Sequence, residues 1–377
     1  MSSVLIKEIG RVITGNTPSK SNRAFYASDD IGFIKPDMIG EDKITYIKSS
    51  REFISEQARS RARIAGNKAV CVTCIGIIGK IGIIDGGEYA FNQQINVIEP
   101  NEKVSSEYLA YCLLYNRNRL AHMANAPVVP IINKTQFENF QITIEDGREE
   151  QNKIVERLSK TVHALNMCKQ QMTQYELLIK ARFVELFGDP IKNPMNFPVF
   201  RMDEVVMFQG GSQPDKKYFE YEPAEENIRL IQIRDYKSDK FVTYIPKNRA
   251  KRFCTKDDIM IGRYGPPIFQ ILKGIEGAYN VALMKAVPKQ GNKEFIREFL
   301  KQECLLHYLE SMSSRTAGQD GIQMDKLKAY PFPMPPIKLQ NEFAEFVAKV
   351  EELKDTTQKS INELQLLFDS LMQKYFG

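Results

Sequence analysis

The second half of this chain repeats its first half at a fixed distance. Gln151-Asn152 and Gln340-Asn341 lie 189 positions apart, as do Phe187-Gly188 and Phe376-Gly377. A period of about half of the 377 residues predicts a protein built twice, as globular segment, long helix, globular segment and long helix. A chain of this length is also too long for one compact core of ordinary size. Such a plan suits a target with two separated parts.

The composition indicates a cytoplasmic globular protein. Hydrophobic residues make up 43% of the chain and charged residues 26%, and no apolar run is long enough to span a membrane. The N-terminus lacks the basic and apolar regions of a signal peptide. The six cysteines are sparse and irregularly spaced, which favours reduced thiols over a disulfide framework.

The positive charge is concentrated in the two globular segments. Residues 1–145 carry +2 (17 basic, 15 acidic) and residues 190–337 carry +5 (23 basic, 18 acidic). Residues 146–189 are neutral (7 basic, 7 acidic), and residues 338–377 carry −2 (5 basic, 7 acidic). If DNA is the partner, the globular segments rather than the helices should hold it. A net charge of +5 is also compatible with an ordinary soluble protein.

Two amphipathic helices are predicted from Glu149 to Phe187 and from Leu339 to Phe376. In both, apolar positions alternate at steps of four and three, which is a heptad seam, and each helix ends at a glycine. The predicted pairing positions are Ile154, Leu158, Leu165, Met172, Ile179, Phe343, Val347, Ile361, Leu364 and Phe368. The favoured arrangement is an intramolecular antiparallel coiled coil. The alternatives are that each helix packs on its own domain, or that the seam joins two chains.

The globular segments repeat more loosely. A Gly-x-x-Pro-x-Lys loop at Gly15–Lys20 recurs at Gly211–Lys216. We further align Tyr46-Ile47 with Tyr244-Ile245, and Phe91-Asn92 with Tyr279-Asn280. Strands are predicted within residues 69–84 and 279–287, and helices over 106–118 and 294–312. The expected fold is therefore α+β, with two mixed α/β domains separated by the two long helices in a pseudo-twofold internal repeat.

No constellation of residues predicts catalysis. The three histidines are widely spaced. Cys71-Val-Thr-Cys74 has the spacing of half a zinc site, but no second pair of ligands accompanies it, so we expect both cysteines to lie in a core strand. Gly76-Ile-Ile-Gly79-Lys80 resembles a phosphate-binding loop but lacks its spacing. Pro36-Asp37 with Glu41-Asp42-Lys43 has the letters of a nuclease metal site at too short a spacing. We therefore expect a protein that is not an enzyme and that binds no metal.

The order of these motifs resembles one family along the whole chain. The motifs are Thr14-Gly-Asn-Thr-Pro-Ser-Lys20, Val129-Pro-Ile-Ile-Asn133, Gly318-Gln-Asp-Gly-Ile322, Tyr330-Pro-Phe-Pro-Met-Pro-Pro336 and the two helix starts. No single motif is specific, but their duplicated order around two long helices is similar to the specificity (S) subunit of type I restriction-modification systems.

This resemblance implies two target recognition domains, residues 1–147 and 189–337, each reading half of an asymmetric bipartite site in double-stranded DNA. The helices, residues 148–188 and 338–377, would act as a spacer and as the docking surface for two methyltransferase (M) subunits. Restriction/translocase (R) subunits would then join. S-adenosylmethionine, ATP and Mg²⁺ would belong to those partners, and no cofactor or membrane contact is expected in this chain.

Candidate DNA contacts are basic and amide side chains in glycine- or serine-flanked stretches, since lysine and arginine bind phosphates and arginine, asparagine and glutamine read base edges. The candidates are Lys20, Arg23, Lys80, Asn92, Gln93, Gln94, Lys216, Lys217, Arg263, Tyr264, Arg315 and Gln319. Each of them could instead be a solvated surface residue, and Asn92 could be a turn-forming core residue.

Other functions remain open at this point. The chain could be a two-headed coiled-coil scaffold that binds proteins, or a methyltransferase or nuclease that is active alone. It could also be the specificity subunit of a fused restriction-methylation enzyme. Salt-sensitive binding to duplex DNA would speak against the scaffold, because phosphate contacts release counterions.

Overall fold

The chain divides into two compact units. A computed structural model describes residues 1–124, 129–264, 267–312 and 321–377. Unit 1 comprises Met1–Lys169 with Lys359–Gly377, and unit 2 comprises Gln170–Gln358. Both boundaries fall inside long helices, so each unit contains one part of each helix. The boundaries predicted at residues 147, 188 and 337 divide the chain differently, because they treat each helix as a separate segment.

Unit 1 is a mixed α/β unit. Its strands are β1 (Ser2–Leu5), β2 (Gly10–Thr14), β3 (Ile31–Ile34), β4 (Ile44–Ile47), β5 (Phe53–Ile54), β6 (Ile64–Ala65), β7 (Val70–Thr73), β8 (Ile81–Ile84), β9 (Tyr89–Phe91), β10 (Ile95–Pro100) and β11 (Gln141–Ile144). One sheet has the order β2-β10-β7-β8-β4 and another the order β5-β3-β9-β6, while β1 pairs with β11. All residues of β7 and β8 are buried, as expected for strands covered on both faces.

The helices of unit 1 cover these sheets. They are α1 (Ile6–Ile9), α2 (Ser106–Tyr115), α3 (Arg117–His122), α4 (Lys134–Glu138), the first part of α5 (Arg148–Phe187) and the end of the last helix, α10 (Ile337–Phe376). The helix predicted over residues 106–118 is divided at Asn116, whose side chain donates to the carbonyl of Cys112 at 2.9 Å. This bond caps the end of α2, and α3 begins directly after Asn116.

Unit 2 has a similar plan. Its strands are β12 (Val199–Arg201), β13 (Val206–Gly210), β14 (Asn227–Ile231), β15 (Tyr244–Pro246), β16 (Phe253–Cys254), β17 (Ile259–Gly262), β18 (Gln270–Lys273), β19 (Gly277–Tyr279), β20 (Leu283–Pro288) and β21 (Pro331–Pro333). Its helices are the second part of α5, α6 (Met202–Val205), α7 (Lys293–Leu300), α8 (Glu303–Met312), α9 (Met324–Ala329) and the first part of α10 (Ile337–Phe376). The sheet orders are β13-β20-β17-β18 and β15-β14-β19-β16, and β12 pairs with β21.

The two units share their strand order except at β4. The order β13-β20-β17-β18 matches β2-β10-β7-β8, and the parallel pair β14 and β19 matches β3 and β9. The predicted alignment of Tyr46-Ile47 with Tyr244-Ile245 is wrong. Tyr46 lies in β4, which pairs with β8, whereas Tyr244 lies in β15, which pairs with β14 as β5 pairs with β3. Among the strands of the described residues, β4 of unit 1 therefore has no counterpart in unit 2.

The long helices place their seams in the cores. All ten predicted pairing positions are buried or half-buried. In unit 1, Ile154 and Leu158 share a core with Met372 and Phe376. In unit 2, Ile179 shares a core with Phe343 and Val347.

Ion pairs show the direction of helix pairing in unit 2. Arg182 bonds Glu342 at 2.5 Å, and Glu176 pairs with Lys354. Positions therefore rise along α10 as they fall along α5, and the two helices are antiparallel within this unit.

A buried glutamine at the start of each long helix explains part of the 189-residue repeat. Gln151 accepts a bond from the backbone N–H of Ser105 at 3.1 Å and donates to the carbonyls of Lys103 and Glu145 at 2.9 and 2.7 Å. Gln340 makes the matching contacts in unit 2, accepting from the N–H of Asn292 at 2.7 Å and donating to the carbonyl of Pro335 at 2.7 Å. Ser105 and Asn292 cap α2 and α7. Each glutamine thus ties the start of a long helix to the start of a domain helix.

Candidate nucleic-acid interface

In unit 1, the segment after β2 lies against the turn after β9. The backbone N–H groups of Gly15 and Asn16 donate to the carbonyls of Ile95 and Phe91, each at 3.0 Å. A Cβ placed on Gly15 would lie 2.1 Å from the carbonyl oxygen of Asn92. This close approach of two backbones requires glycine and fixes the loop beside the turn.

Unit 2 repeats this arrangement. The N–H groups of Gly211 and Ser212 donate to the carbonyls of Leu283 and Tyr279, at 3.0 and 3.1 Å. A Cβ on Gly211 would lie 1.9 Å from the carbonyl oxygen of Asn280. The Gly-x-x-Pro-x-Lys loops and the Phe91-Asn92 and Tyr279-Asn280 pairs therefore occupy equivalent places, in agreement with the sequence alignment.

A third loop joins the same edge in each unit. The N–H of Cys74 donates to the carbonyl of Gln94 at 2.7 Å, and the N–H of Arg263 donates to the carbonyl of Ala282 at 2.9 Å. We call the three converging loops the recognition edge. It comprises residues 15–17, 74–79 and 92–94 in unit 1, and residues 211–213, 263–264 with 267–269, and 280–282 in unit 2.

Gln93 and Gln94 lie at the recognition edge of unit 1. Gln93 is exposed, and its side-chain oxygen accepts a bond from the Thr17 hydroxyl at 2.8 Å. Asn92 is buried instead. Its side chain accepts from the N–H of Gln94 and donates to the Gln94 side-chain oxygen, at 3.1 and 2.9 Å. Asn92 therefore shapes the turn rather than offering its amide to a base.

The sequence predicts an exposed Lys80, but the structure buries most of this side chain. Its ammonium lies 3.4 Å from the carbonyl of Pro36 and 3.6 Å from the Glu41 carboxylate. Its charge is neutralised below the 36–41 loop, so a direct DNA contact would require this loop to move.

Four other basic candidates are exposed. Lys20 and Arg23 follow the first loop of unit 1, and Lys216 and Lys217 follow the first loop of unit 2. The ammonium of Lys217 lies 3.4 Å from Asp215 and 5.1 Å from the centre of the Tyr218 ring. These cations can reach a ligand without displacing any core residue.

Arg263 and Tyr264 lie at the recognition edge of unit 2. The Arg263 guanidinium lies 5.3 Å from the centre of the Tyr264 ring and donates to the carbonyl of Val281 at 3.4 Å. The contact with Val281 holds the arginine beside the turn that contains Asn280. The remaining candidates, Arg315 and Gln319, lie outside the described residues.

The structure also brings arginines to the edge of unit 1 that the sequence interpretation missed. The Asn16 side chain donates to the carbonyl of Arg61 and accepts from the N–H of Arg63, at 2.6 and 2.7 Å. Arg63 lines a cleft of about 450 Å³ together with Arg11 and Lys134. The alternating arginines at positions 59, 61 and 63 were the available sequence signal. The interface of unit 1 is therefore more basic than the candidate set implied.

Cys71 and Cys74 belong to two different cores. Cys71 packs with Ile84 and Phe91, whereas Cys74 packs with the core that contains Tyr108. Burial raises the pKa of each thiol to about 12, so both are protonated at neutral pH. The pair cannot hold one metal ion together, because its side chains point to opposite faces of the sheet.

Among the described residues, no three His, Cys, Asp or Glu side chains are grouped as metal ligands would be. None of the helices in this part of the chain combines the length and apolar character needed to cross a membrane.

The family follows from comparison with known proteins. Residues 1–174 and 194–366 match the family described as "Type I restriction modification DNA specificity domain". These two matches cover most of the chain and correspond to its two repeats. The chain belongs to the type I restriction-modification specificity family.

Curated relatives agree with this assignment. A 105-residue stretch is 37% identical to the HindI specificity subunit of Haemophilus influenzae and covers 28% of this chain. The MjaIX specificity subunit of Methanocaldococcus jannaschii is 25% identical over 61% of this chain, and the EcoR124I/EcoR124II specificity subunit of Escherichia coli is 29% identical over 48%. The matches span 22%, 56% and 46% of the respective relatives.

Two solved structures have the same fold along the whole chain. The S subunit of a type I restriction-modification system from M. genitalium gives a TM-score of 0.56 at 13% identity, with 96% of its chain covered. A chain from a structure described as the basis of complex assembly and conformational transition of the type I R-M system gives 0.59 at 18% identity, with 97% covered. The similarity to each covers 100% of the present chain.

Proposed function

We propose that this chain is the non-catalytic DNA-reading subunit of a cytoplasmic type I restriction-modification complex. Each recognition edge reads one half of an asymmetric bipartite site, and α5 and α10 serve as the spacer between the two half-sites. The observation that carries this proposal is the duplicated edge. Its backbone hydrogen bonds are equivalent in both units, but its side chains differ. Gln93 and Gln94 stand where the second unit has Val281 and Ala282, and Arg263 stands where the first unit has Cys74.

A common frame with different side chains is suited to reading two different sequences. Arginine pairs with guanine through two bonds, whereas glutamine pairs with adenine. Phosphate contacts from the surrounding lysines and arginines would fix the position of each unit on the duplex. Both duties fall on exposed or half-buried groups in loops that the Gly15 and Gly211 contacts hold in place.

Exchange of one unit should alter one half of the recognised sequence. Replacing residues 190–337 with the equivalent segment of a relative is expected to change a single half-site, because each edge is formed within one unit. The measurement is a map of methylated adenines in a host that carries either version. Exchange of residues 1–145 serves as the matched control and should alter the other half. A change in both halves after either exchange would contradict modular reading.

We propose two methyltransferase (M) subunits as partners, together with restriction/translocase (R) subunits. Support comes from two exposed leucine pairs on the long helices. Leu177 and Leu178 lie on the unit 2 part of α5, and Leu366 and Leu367 lie 189 positions later on the unit 1 part of α10. All four side chains are 47–70% exposed, although burying each would contribute about 1.5–3 kcal/mol. Two equivalent apolar patches suit two copies of one partner.

Charging one leucine pair should remove one partner copy. Leu366→Lys with Leu367→Lys is expected to leave a complex with a single methyltransferase subunit, and charging all four leucines should leave none. Native mass spectrometry of the co-expressed subunits measures the stoichiometry. Gln171→Lys, at an exposed position of α5, is the control and should keep two copies. Retention of both copies by the fourfold variant would contradict docking at these leucines.

A further inference from the structure

Each unit contains a small satellite core, and a phenylalanine and an alanine pack on it at equivalent positions in both units. In unit 1, Phe25 and Ala62 pack on a cluster that includes Ile54 and Ala90. In unit 2, Phe219 and Ala250 pack on the corresponding cluster with Ile245 and Ala278. The strand pairing makes these clusters equivalent, since β5, β3, β9 and β6 match β15, β14, β19 and β16.

Each satellite core places two cations at equivalent positions. Arg23 lies two residues before Phe25, and Lys217 lies two residues before Phe219. Arg61 directly precedes Ala62, and Arg249 directly precedes Ala250.

The backbone supports the second of these correspondences. The N–H groups of Ala62 and Ala250 bond carbonyls three residues earlier, those of Arg59 and Lys247, at 3.3 and 3.2 Å. Each alanine therefore ends a short 3-10 helix, at Glu56–Arg61 in unit 1 and at Lys247–Arg249 in unit 2. Arg61 and Arg249 are the last helical residues in both cases.

The two cations of each unit lie on packed elements. In unit 1 the short helix Arg23–Tyr26 packs against Glu56–Arg61. In unit 2 the Lys217 ammonium and the Arg249 guanidinium lie 5.1 and 4.8 Å from the centre of the same ring, that of Tyr218. Two like charges that lie beside one half-buried ring repel each other, and an anion bound by both would relieve that repulsion.

Acidic side chains leave these cations largely uncompensated. Within the described residues, no carboxylate lies within 4.0 Å of Arg23, Arg61 or Arg249. In the same part of the chain, Lys217 has one carboxylate within this distance, that of the exposed Asp215. By contrast, Arg59, two residues from Arg61, is paired with both Glu56 and Glu88. Arg61 and Arg249 therefore remain available to an external anion.

We propose that Arg23 with Arg61, and Lys217 with Arg249, form two equivalent binding sites for a DNA backbone phosphate, one beside each recognition edge. The Asn16 side chain links the Arg61 backbone to the first loop of the edge, and Thr17 links that loop to Gln93. Lys217 follows the corresponding loop in unit 2. A phosphate held at this place would fix the distance between the DNA backbone and the base-reading side chains. This inference rests on the proposed function and assigns residues to it.

The test is the salt dependence of binding by the full-length chain to a duplex of about 30 base pairs of random sequence. Phosphate contacts are independent of sequence, and each contributes about 0.9 to the slope of log K against log salt concentration. Arg61→Ala and Arg249→Ala should each reduce the slope by about 0.9, and the double variant by about 1.8. Arg61→Lys and Arg249→Lys should keep the slope, because they keep the charge.

Two paired arginines provide the controls. Arg59→Ala in unit 1 and Arg201→Ala in unit 2, whose partner is Asp203, should leave the slope unchanged. If an alanine variant loses its fold, Arg61→Gln and Arg249→Gln retain most of the side-chain length and test the same charge. An unchanged slope in a folded double variant would contradict the two phosphate sites but leave the proposed function standing. Absence of any salt-dependent DNA binding by the wild-type chain would overturn the proposed function itself.

Discussion

Replacing Gln151 with leucine should lower the free energy of unfolding by about 4 kcal/mol, because three backbone groups, one buried and two part-buried, lose their bond at once. The Gln151 side chain is completely buried and serves the N–H of Ser105 and the carbonyls of Lys103 and Glu145. Leucine fits the volume but offers no polar atom. Each unsatisfied group then costs about 1–3 kcal/mol.

Chemical denaturation followed by circular dichroism measures this effect. Gln171→Leu is the matched control, since it makes the same change at an exposed position of the same helix, and it should alter stability by less than about 0.5 kcal/mol. Gln340→Leu should behave like Gln151→Leu, because Gln340 bonds Asn292 and Pro335 in the same way. A loss of less than about 1 kcal/mol in both variants would mean that water or a shifted backbone replaces these bonds.

The long helices were predictable from the sequence because their signal is local and repeated. The heptad seam continues over many turns without an internal proline or glycine, and the observed bounds, Arg148–Phe187 and Ile337–Phe376, differ from the prediction by at most two residues. The repeat also singled out Gln151 and Gln340. Their role could not be inferred, since their partners lie far away in the sequence or in loops without a regular pattern.

The errors concern positions whose environment depends on distant segments. Tyr46 and Tyr244 each stand before an isoleucine, but strand pairing places them in sheets that are not equivalent between the two units. Lys80 follows a glycine turn and looks exposed in sequence, yet the 36–41 loop covers it. Local sequence similarity does not indicate which remote strand or loop packs against a given residue.

The loop geometry of the candidate interface was predictable from the sequence in part, while the DNA contacts themselves stay a prediction. The glycine loops and the Asn92 and Asn280 turns were correctly aligned, because glycine is required where two backbones meet. Arg61 and Arg249 were missed, although Arg61-Ala62 and Arg249-Ala250 are 188 positions apart. Such a short match carries little weight until the strand order shows that both pairs end equivalent 3-10 helices.

The Gly211→Ala variant should lose discrimination in one half of the DNA site while the other half is still read. The new Cβ would lie 1.9 Å from the carbonyl oxygen of Asn280 and 2.8 Å from that of Tyr279, so a backbone segment must move. Arg263 bonds the turn at residues 280–282 through its backbone N–H and its side chain, so it shifts when this turn shifts. Overpacking of this kind costs about 1–3 kcal/mol of stability. A displaced base contact costs a similar amount of discrimination, or about 5- to 100-fold in affinity ratio.

The measurement compares binding of the assembled complex to its mapped site and to sites altered in either half. Gly15→Ala should affect the opposite half, because its Cβ meets the carbonyl of Asn92 in unit 1. Gly66→Ala is the control, since no heavy atom lies within 4 Å of its new Cβ. Equal loss in both halves from Gly211→Ala would point to general unfolding, which the melting temperature would detect. Unchanged discrimination in a folded Gly211→Ala variant would mean that the turn at 280–282 does not position the base-reading groups of unit 2.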